Sequence, residues 1–344
     1  METKRTEIQD IGEFGIIDRI AAQVQVYQPS TIFGIGDDAA GIAVPPGQIV
    51  LVSTDLLAEG IHFDLAYTPL QHLGYKSIVV NLSDIAAMNG IPAQVTVSLA
   101  ISNRFSLEAI DLLYDGIRSA CEAYHVDLVG GDTTSSRSGL VISVTAIGYQ
   151  QENLIARRSG AKSGDLICVT GDLGAAFMGL QILTREKKVF EVDPEMQPEI
   201  KEEHSYLIGR QLKPEARTDM VHELAENGIV PSAMIDISDG LASELLHIAK
   251  QSRVSMQIFE EKLPIENLTK LAASDFNISP VTAAMNGGED YELLFTVPQN
   301  HYEAISKMQD VSIIGVVKPK ESGNLIHLKS GQQVGIQAQG WKHF

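Results

Sequence analysis

Residues 94–124 read QVTVSLAISNRFSLEAIDLLYDGIRSACEAY, a strand pattern followed directly by a helix pattern. Residues 94–101 are rich in β-branched side chains, which favour an extended strand. From residue 107 to residue 124 apolar side chains recur every three or four positions, and Ser106 is placed to cap the start of this helix. Both patterns recur, with further strands predicted at residues 50–53, 140–147 and 166–170 and further helices at residues 175–183 and 241–251. The predicted fold class is therefore mixed α/β.

The chain has 344 residues, which is enough for two domains of roughly 150 residues each. Near residue 150 a strand pattern gives way to the polar run Gln150-Gln151-Glu152-Asn153. We therefore predict one domain over residues 1–150 and a second over residues 151–344. Residues 185–203 are charged, contain two prolines and lack a regular period. We expect a surface connection or an exposed helical segment there, without a catalytic role.

Acidic residues outnumber basic ones, with 44 Asp and Glu against 26 Lys and Arg, which gives a formal net charge of −18. This charge repels phosphate backbones and anionic lipids, so we expect neither nucleic acid nor a membrane as a partner. Cys121 and Cys168 have no second Cys or His at ligand spacing, which argues against a zinc site or a disulfide framework. The first residues are charged and no apolar run approaches ~18 residues, so we expect a cytoplasmic protein.

Short acidic motifs are the most informative feature of the sequence. They are Gly34-Ile35-Gly36-Asp37-Asp38, Ser53-Thr54-Asp55, Asn81-Leu82-Ser83-Asp84, Gly130-Gly131-Asp132-Thr133-Thr134, Asp236-Ile237-Ser238-Asp239-Gly240 and Gly287-Gly288-Glu289-Asp290. We expect them at strand ends or in glycine turns, where the side chains of an α/β protein converge on the ligand crevice. Carboxylates gathered in one crevice raise one another's pKa unless cations lie between them. Because oxygen ligands without His or Cys suit Mg²⁺ held together with water and phosphate, the motifs predict Mg²⁺ and a phosphate ester.

Other nucleotide and nucleophile motifs fit less well. Gly34-x-Gly36-x-x-Ala39 matches a relaxed dinucleotide-binding fingerprint, but Asp37 and Asp38 would place two anions against the pyrophosphate. The Lys-Ser pairs lack the preceding glycine of a P-loop, and the chain has no G-x-S-x-G elbow. These readings are therefore disfavoured.

Taken in order, the motifs resemble those of the thiamine-monophosphate kinase family. The resemblance spans nearly the whole chain, through Gly12-Glu13-Phe14-Gly15, Ser53-Thr54-Asp55, Glu59-Gly60-Ile61-His62-Phe63, residues 81–88, Gly288-Glu289-Asp290-Tyr291-Glu292-Leu293 and Gly340-Trp341-Lys342-His343-Phe344. It implies a two-domain architecture like that of aminoimidazole ribonucleotide synthetase, with an N-terminal ATP- and Mg²⁺-binding domain and a C-terminal α/β domain. It also implies a homodimer joined through the N-terminal domains.

The resemblance implies roles for individual residues. Family positions that hold Mg²⁺ match Asp38, Ser53, Thr54, Asp55, Asp84, Asp132, Asp236 and Asp239. Positions that contact ATP match Tyr114, Gly131, Asp132, Arg158 and Ser238. Positions that hold the thiamine moiety match His62, Glu289 and Trp341. The expected catalytic residues are Asp84, Asp55 and Asp38. An aromatic face and a carboxylate both favour the permanent positive charge of a thiazolium ring, which suits the last group.

The reaction that the resemblance implies is in-line transfer of the γ-phosphoryl group of ATP to thiamine monophosphate, assisted by several Mg²⁺ ions. The acceptor phosphate is largely ionised near neutral pH, so no general base is required. Two alternatives stay open. One is a related ATP-dependent synthetase or kinase that acts on a different acceptor and does not need His62 and Trp341. The other is a protein that binds ATP without consuming it.

Overall fold

A computed structural model describes residue 6 and residues 8–193 and 200–339 of the chain. The chain divides into two compact units, one formed by Met1–Ile85 with Gly90–Asn153 and the other by Ala86–Asn89 with Leu154–Phe344. The tetrapeptide Ala86–Asn89 thus belongs to the second unit although the first unit surrounds it in sequence.

The first unit is built on a four-stranded sheet of order β3-β6-β4-β5, in which only the β4–β5 pair is parallel. Its elements in chain order are α1 (Ile8–Ala21), β1 (Thr31–Phe33), β2 (Gly41–Ile42), β3 (Gln48–Ala58), α2 (Leu70–Ala87), β4 (Ile91–Ser102), α3 (Leu107–Tyr124), β5 (Asp127–Ser136) and β6 (Leu140–Gln151). Strands β1 and β2 form a separate two-stranded sheet. Strands β3 and β5 are the two edges of the main sheet, so residues on them are separated by two strands.

Helix α3 follows the predicted boundaries, and the hydroxyl of Ser106 caps it by accepting a hydrogen bond from the Ala109 N–H at 3.4 Å. The backbones of helices α2 and α3 come close to each other at two glycines, one on each helix. A Cβ on Gly74 would lie 2.0 Å from the Leu113 carbonyl oxygen, and one on Gly116 would lie 1.9 Å from that of Gln71. The helix layer therefore depends on having no side chain at either position.

The second unit is built on a seven-stranded sheet of order β13-β12-β9-β11-β7-β10-β8. Its strands are β7 (Leu166–Thr170), β8 (Ala233–Asp236), β9 (Val254–Phe259), β10 (Leu293–Val297), β11 (Val311–Pro319), β12 (Leu325–His327) and β13 (Gln333–Gly335). Its helices are α4 (Ala175–Val192), α5 (Ser205–Leu212), α6 (Thr218–Glu226), α7 (Leu241–Ser252), α8 (Asn267–Asp275), α9 (Pro280–Asn286) and α10 (Tyr302–Ile305). The central strands are buried on both faces, because Ile167 packs in one apolar cluster and Cys168 in another.

The mixed α/β class is confirmed, and each predicted strand lies within an observed one. The predicted end of the helix near residue 183 is wrong, because α4 continues to Val192. The start of the charged segment 185–203 is therefore helical, and Glu186 within it is buried. Within the described ranges no helix is both long and apolar enough to cross a bilayer.

Candidate active site

Strand β3 and helix α2 of the first unit bring three of the predicted metal ligands together. The Ser53 hydroxyl donates a hydrogen bond to the Asp84 carboxylate, which joins the strand to the helix. Two residues after Ser53 on β3, the Asp55 N–H donates a hydrogen bond to Oδ1 of Asn81 on α2 at 3.0 Å. Nδ2 of Asn81 in turn donates to the Ser77 carbonyl at 2.9 Å. The Asn81 side chain is 1% exposed, so it fastens Asp55 to α2 away from water. Ser53, Asp55 and Asp84 are thereby held at one sheet edge.

Burial and a neighbouring charge both act on this edge. The pKa of Asp55 is raised from 3.8 to about 6, first by burial and second by the Asp84 carboxylate. Both effects disfavour the ionised form of Asp55. A cation placed at the pair reverses the second effect, and the available donors are all hard oxygens. The Ser53, Asp55 and Asp84 set therefore fits Mg²⁺ with the remaining ligands supplied by water and phosphate.

Thr54 lies on the same strand as Ser53 and Asp55 but on the opposite face of the sheet, since alternate residues of a strand point to opposite faces. Its hydroxyl donates to the Val144 carbonyl at 2.9 Å and accepts from Thr145 Oγ1 at 3.1 Å on the exposed face of the sheet. The Thr54 side chain is thus engaged within the sheet and turned away from Ser53 and Asp55.

The expectation that the acidic motifs lie at strand ends or in turns is wrong for three of them. Asp55 lies inside the eleven-residue strand β3, Asp84 lies inside helix α2, and Asp132 lies inside β5. The physical reason is that a polar side chain on the more exposed face of a strand or helix does not end it when the opposite face is apolar. Only the motifs at residues 34–38, 236–240 and 287–290 lie in loops or at the end of a strand.

A cleft of about 330 Å³ at the other side of the first unit gathers four predicted site residues, namely Asp38, Tyr114, Gly131 and Asp132. Its remaining walls include the apolar side chains of Ile17, Ile20 and Ile35. The cleft therefore combines apolar walls with carboxylates and exposed backbone. This combination suits a nucleotide, which has an apolar base and charged phosphates.

Two residues of this cleft have clear physical constraints. Tyr114 is 5% exposed, and burial raises the pKa of its phenol to about 12, so the hydroxyl stays neutral. Gly131 pairs with Val97 on β4, and a Cβ there would lie 1.9 Å from the Val97 carbonyl oxygen. The sheet itself therefore requires glycine at residue 131, whatever the cleft binds.

His62 lies in the turn that follows β3. The Ala58 N–H donates to Nδ1 of His62 at 3.1 Å, so Nδ1 carries no proton and the ring proton is on Nε2. Gly60, at a φ of 80°, closes the turn by donating its N–H to the Phe63 carbonyl at 2.8 Å. The hydrogen bond from Ala58 thus fixes the tautomer of the imidazole.

In the second unit, Asp236 ends strand β8, and Ser238 and Asp239 lie in the turn before α7. Glu244, one turn into α7, is 3% exposed and accepts the Asp239 N–H at 3.2 Å. Burial first, and then the Asp236 carboxylate, raise the pKa of Glu244 to about 8, while the Arg158 guanidinium opposes this rise. Glu244 therefore lies in the electrostatic reach of three predicted site residues, although the sequence analysis did not select it. Its position in the first turn of a helix, behind an Asp-Gly pair, was the available signal.

A second loop of this unit pairs with the Ser238 turn. The Glu289 N–H donates to the Ser238 carbonyl at 2.7 Å, and the Tyr291 N–H donates to that of Ile237 at 2.9 Å. Glu289 and Tyr291 have positive φ values of 59° and 53°, a conformation uncommon for residues other than glycine. The loop therefore holds the predicted substrate residue Glu289 directly beside the predicted nucleotide residue Ser238.

A buried ionic network supports this loop. Glu292 is 2% exposed and accepts from Arg210 at 2.9 Å, from Arg217 at 2.7 Å and from the Thr170 hydroxyl at 2.6 Å. Asp290 accepts the Gly174 N–H at 2.8 Å at the start of α4, and burial raises the pKa of Asp290 to about 7. Asp290 and Glu292 have no predicted role of their own, and their position in the motif at residues 288–293 is the only sequence signal for them.

The predicted metal ligands lie in both units of the chain. Across the described ranges of the chain, no group of three or more His, Cys, Asp or Glu side chains is arranged to hold a metal ion. Asp55 lies with Asp84, and Asp38 lies with Asp132 in the cleft, while Asp236 and Asp239 belong to the second unit. Trp341 falls outside the described residues.

Two family patterns match the chain. "AIR synthase related protein, N-terminal domain" matches residues 36–150, and "AIR synthase related protein, C-terminal domain" matches residues 162–327. The protein is thus of the two-domain class of AIR-synthase-related proteins.

Full-length relatives narrow this class. Thiamine-monophosphate kinase of Bacillus subtilis (strain 168) is 36% identical over 338 residues, covering 96% of this chain and 99% of the relative. That of Aquifex aeolicus (strain VF5) is 34% identical over 337 residues, covering 98% of this chain and 99% of the relative. A solved structure of AaThiL complexed with AMPPCP and TMP is 33% identical and covers both chains fully with a TM-score of 0.75. The chain belongs to the thiamine-monophosphate kinase family.

Proposed function

We propose that the chain transfers the γ-phosphoryl group of ATP to the phosphate of thiamine monophosphate, forming thiamine diphosphate and ADP. The observation that carries the proposal is the 2.7 Å hydrogen bond from the Glu289 N–H to the Ser238 carbonyl, because it joins the loop of the proposed substrate residue to the turn of the proposed nucleotide residue. Family membership supports it, as does the relative complexed with AMPPCP, an ATP analogue, and TMP.

For the nucleotide, we propose Tyr114, Gly131 and Asp132 in the first unit and Arg158 and Ser238 in the second. The cleft of the first unit offers apolar walls, a neutral buried phenol and exposed backbone at Gly131. Arg158 is exposed and its guanidinium can pair with phosphate oxygens.

For Mg²⁺, we propose the carboxylates Asp38, Asp55, Asp84, Asp132, Asp236 and Asp239 together with the Ser53 hydroxyl. Thr54 is left out because its hydroxyl is engaged with Val144 on the opposite face of the sheet. Bound Mg²⁺ would neutralise charge on the triphosphate and on the acceptor. The raised pKa of Asp55 supports this set, since a cation favours the ionised form of two neighbouring half-buried carboxylates.

The chain's own residues would hold the acceptor and align it. Glu289 offers a negative charge to the thiazolium ring, and Trp341 would add an aromatic face. The Nε2–H of His62 is a neutral donor, which does not repel a cationic ring. No residue is required as a general base, so the protein contributes alignment of two polyanions for an in-line displacement.

We also propose that two copies of the chain associate through the open face of the first unit's sheet. Strand β3 exposes Val50, Val52 and Leu56, and Val52 is 64% exposed. An apolar strip of this kind, on the face opposite α2 and α3, favours a second copy as its cover. Sedimentation of the purified protein tests this: a dimer is expected, and a monomer at micromolar concentration contradicts it.

Phosphorus NMR tests the reaction. Purified protein with Mg²⁺, ATP and thiamine monophosphate is expected to form thiamine diphosphate and ADP together, and neither without the acceptor. Asp84→Asn is expected to abolish both signals because it removes a carboxylate from the β3 edge, whereas Asp18→Asn, an exposed change on α1, serves as the matched control. ADP formation that does not depend on thiamine monophosphate would contradict the proposed acceptor. Full activity of Asp84→Asn would contradict the proposed metal edge.

A further inference from the structure

Helix α5 lies against the loop that carries Glu289. Nε2 of Gln211 donates to Oε2 of Glu289 at 2.5 Å. The preceding residue, Arg210, donates from Nη2 to the Asp290 carbonyl at 3.1 Å and to Glu292 at 2.9 Å. Two consecutive residues of α5 thus hold the backbone and the side chain of this loop at adjacent positions.

The two contacts differ in charge. Arg210 places its guanidinium on Glu292, deeper in the unit, and not on the carboxylate of Glu289. Gln211 reaches that carboxylate with a neutral amide, and Gln211 is only 5% exposed. A neutral donor fixes the direction of a carboxylate without cancelling its charge, whereas Lys or Arg would do both. This arrangement suits a carboxylate that must attract a cationic ligand.

The backbone of the loop adds to the need for a fixed side chain. Glu289 has a φ of 59°, and its N–H is engaged with Ser238. The backbone is therefore held from one side by the Ser238 turn, and the side chain is held from the other side by α5. Loss of the Gln211 amide would remove its contact to the carboxylate and would not touch the hydrogen bond between the Glu289 N–H and Ser238.

We infer that Gln211 is a positioning residue for substrate selection: its amide aims the Glu289 carboxylate at the positively charged ring of the substrate. The inference rests on the proposed function, in which Glu289 holds the thiamine moiety. It adds a residue on a helix that no site motif of the sequence contains.

The experiment is a double-mutant cycle on the full chain. The variants are Gln211→Met, which keeps the length of the side chain but removes its donor, Glu289→Ala, and the two combined. Gln181→Met on α4 is the matched control, since Gln181 lines a separate cavity of about 590 Å³. The Michaelis constants for thiamine monophosphate and ATP, kcat and the melting temperature are measured for each.

Gln211→Met is expected to raise the Michaelis constant for thiamine monophosphate about ten-fold, as for the loss of one hydrogen bond to a charged group. The Michaelis constant for ATP and kcat should each stay within about two-fold of the unmodified protein. The reason is that the lost contact stabilises the bound substrate and the transition state equally. In the Glu289→Ala background the same change should have an effect under about two-fold, because no carboxylate is left to position.

Each other outcome is decisive. If Glu289→Ala raises the Michaelis constant for thiamine monophosphate and Gln211→Met does not, the positioning inference fails while the proposed function stands. If Glu289→Ala itself has no effect, the proposed substrate role of Glu289 fails. Equal changes in both Michaelis constants and kcat would make Gln211 merely structural. Should Gln211→Met not fold, Gln211→Asn, one methylene shorter, replaces it with the same expected direction.

Discussion

Replacing Asp55 by Asn is expected to stabilise the Mg²⁺-free protein at pH 8 while abolishing turnover. The pKa of Asp55 is raised from 3.8 to about 6 by burial and by Asp84, so the native state binds its proton more tightly than the unfolded chain. The stability that this proton contributes is fully present below the unfolded pKa and is lost as the pH rises through the folded value. A shift of about two units corresponds to about 3 kcal/mol, and partial exposure reduces it to roughly 1–2 kcal/mol. Asn removes this cost because it carries no charge at any pH.

Thermal unfolding in EDTA at pH 8 and at pH 4.5 measures the effect. At pH 8 the melting temperature of Asp55→Asn should exceed that of the unmodified protein by roughly 3–6 °C. At pH 4.5, where Asp55 is mostly protonated, the difference should be much smaller. Asp18→Asn, which changes an exposed carboxylate of the same unit, should shift the melting temperature little at either pH. An equal shift at both pH values, or a lower melting temperature at pH 8, would refute the reasoning.

Two further predictions concern backbone approach and buried charge. Gly131→Ala should destabilise the protein by more than about 2 kcal/mol in urea unfolding, since its Cβ would lie 1.9 Å from the Val97 carbonyl oxygen. Gly130→Ala, whose Cβ has its nearest neighbour at 3.7 Å, should change stability by less than about 1 kcal/mol, and equal losses would contradict the packing argument. Arg217→Met should cost about 3 kcal/mol by the same measurement, because it removes one of two guanidinium partners from the buried Glu292. A loss below about 1 kcal/mol would show that one partner suffices.

The net charge of −18 bears directly on the proposed reaction. A chain with this excess of carboxylates repels ATP and a phosphate acceptor unless cations intervene. Within the first unit the proposed Mg²⁺ carboxylates lie beside β3 and in the cleft, and within the second unit they lie at the Ser238 turn. In the proposed reaction, phosphate oxygens of the nucleotide would complete the Mg²⁺ coordination at these carboxylates, so the proposal links metal binding to the presence of nucleotide.

The fold was accessible from sequence where periodicity was clean. Helix α3 shows this, because its apolar stripe and the Ser106 cap agree on both type and start. Where a polar residue interrupts an element, the sequence was less informative. Asp84 was expected at a strand end, but it lies inside α2, where the helix continues because most of the positions around it are buried. Tertiary packing determines the secondary structure at such positions, and the local sequence pattern does not reveal that packing.

From the sequence, the candidate site could be predicted only for residues that lie in recognisable motifs. Asp55, Asp84, Ser238 and Glu289 lie in motifs that the sequence displays, and the structure sets two pairs of them together through β3 with α2 and through two paired loops. Gln211 contacts Glu289 and Glu244 contacts Asp239, each from a helix with an ordinary amphipathic pattern. A buried polar side chain of this kind leaves no period of its own, and the partner of Gln211 lies 78 residues away in sequence. Such a residue is defined by its hydrogen bond in the folded chain, as Gln211 is by its contact with Glu289.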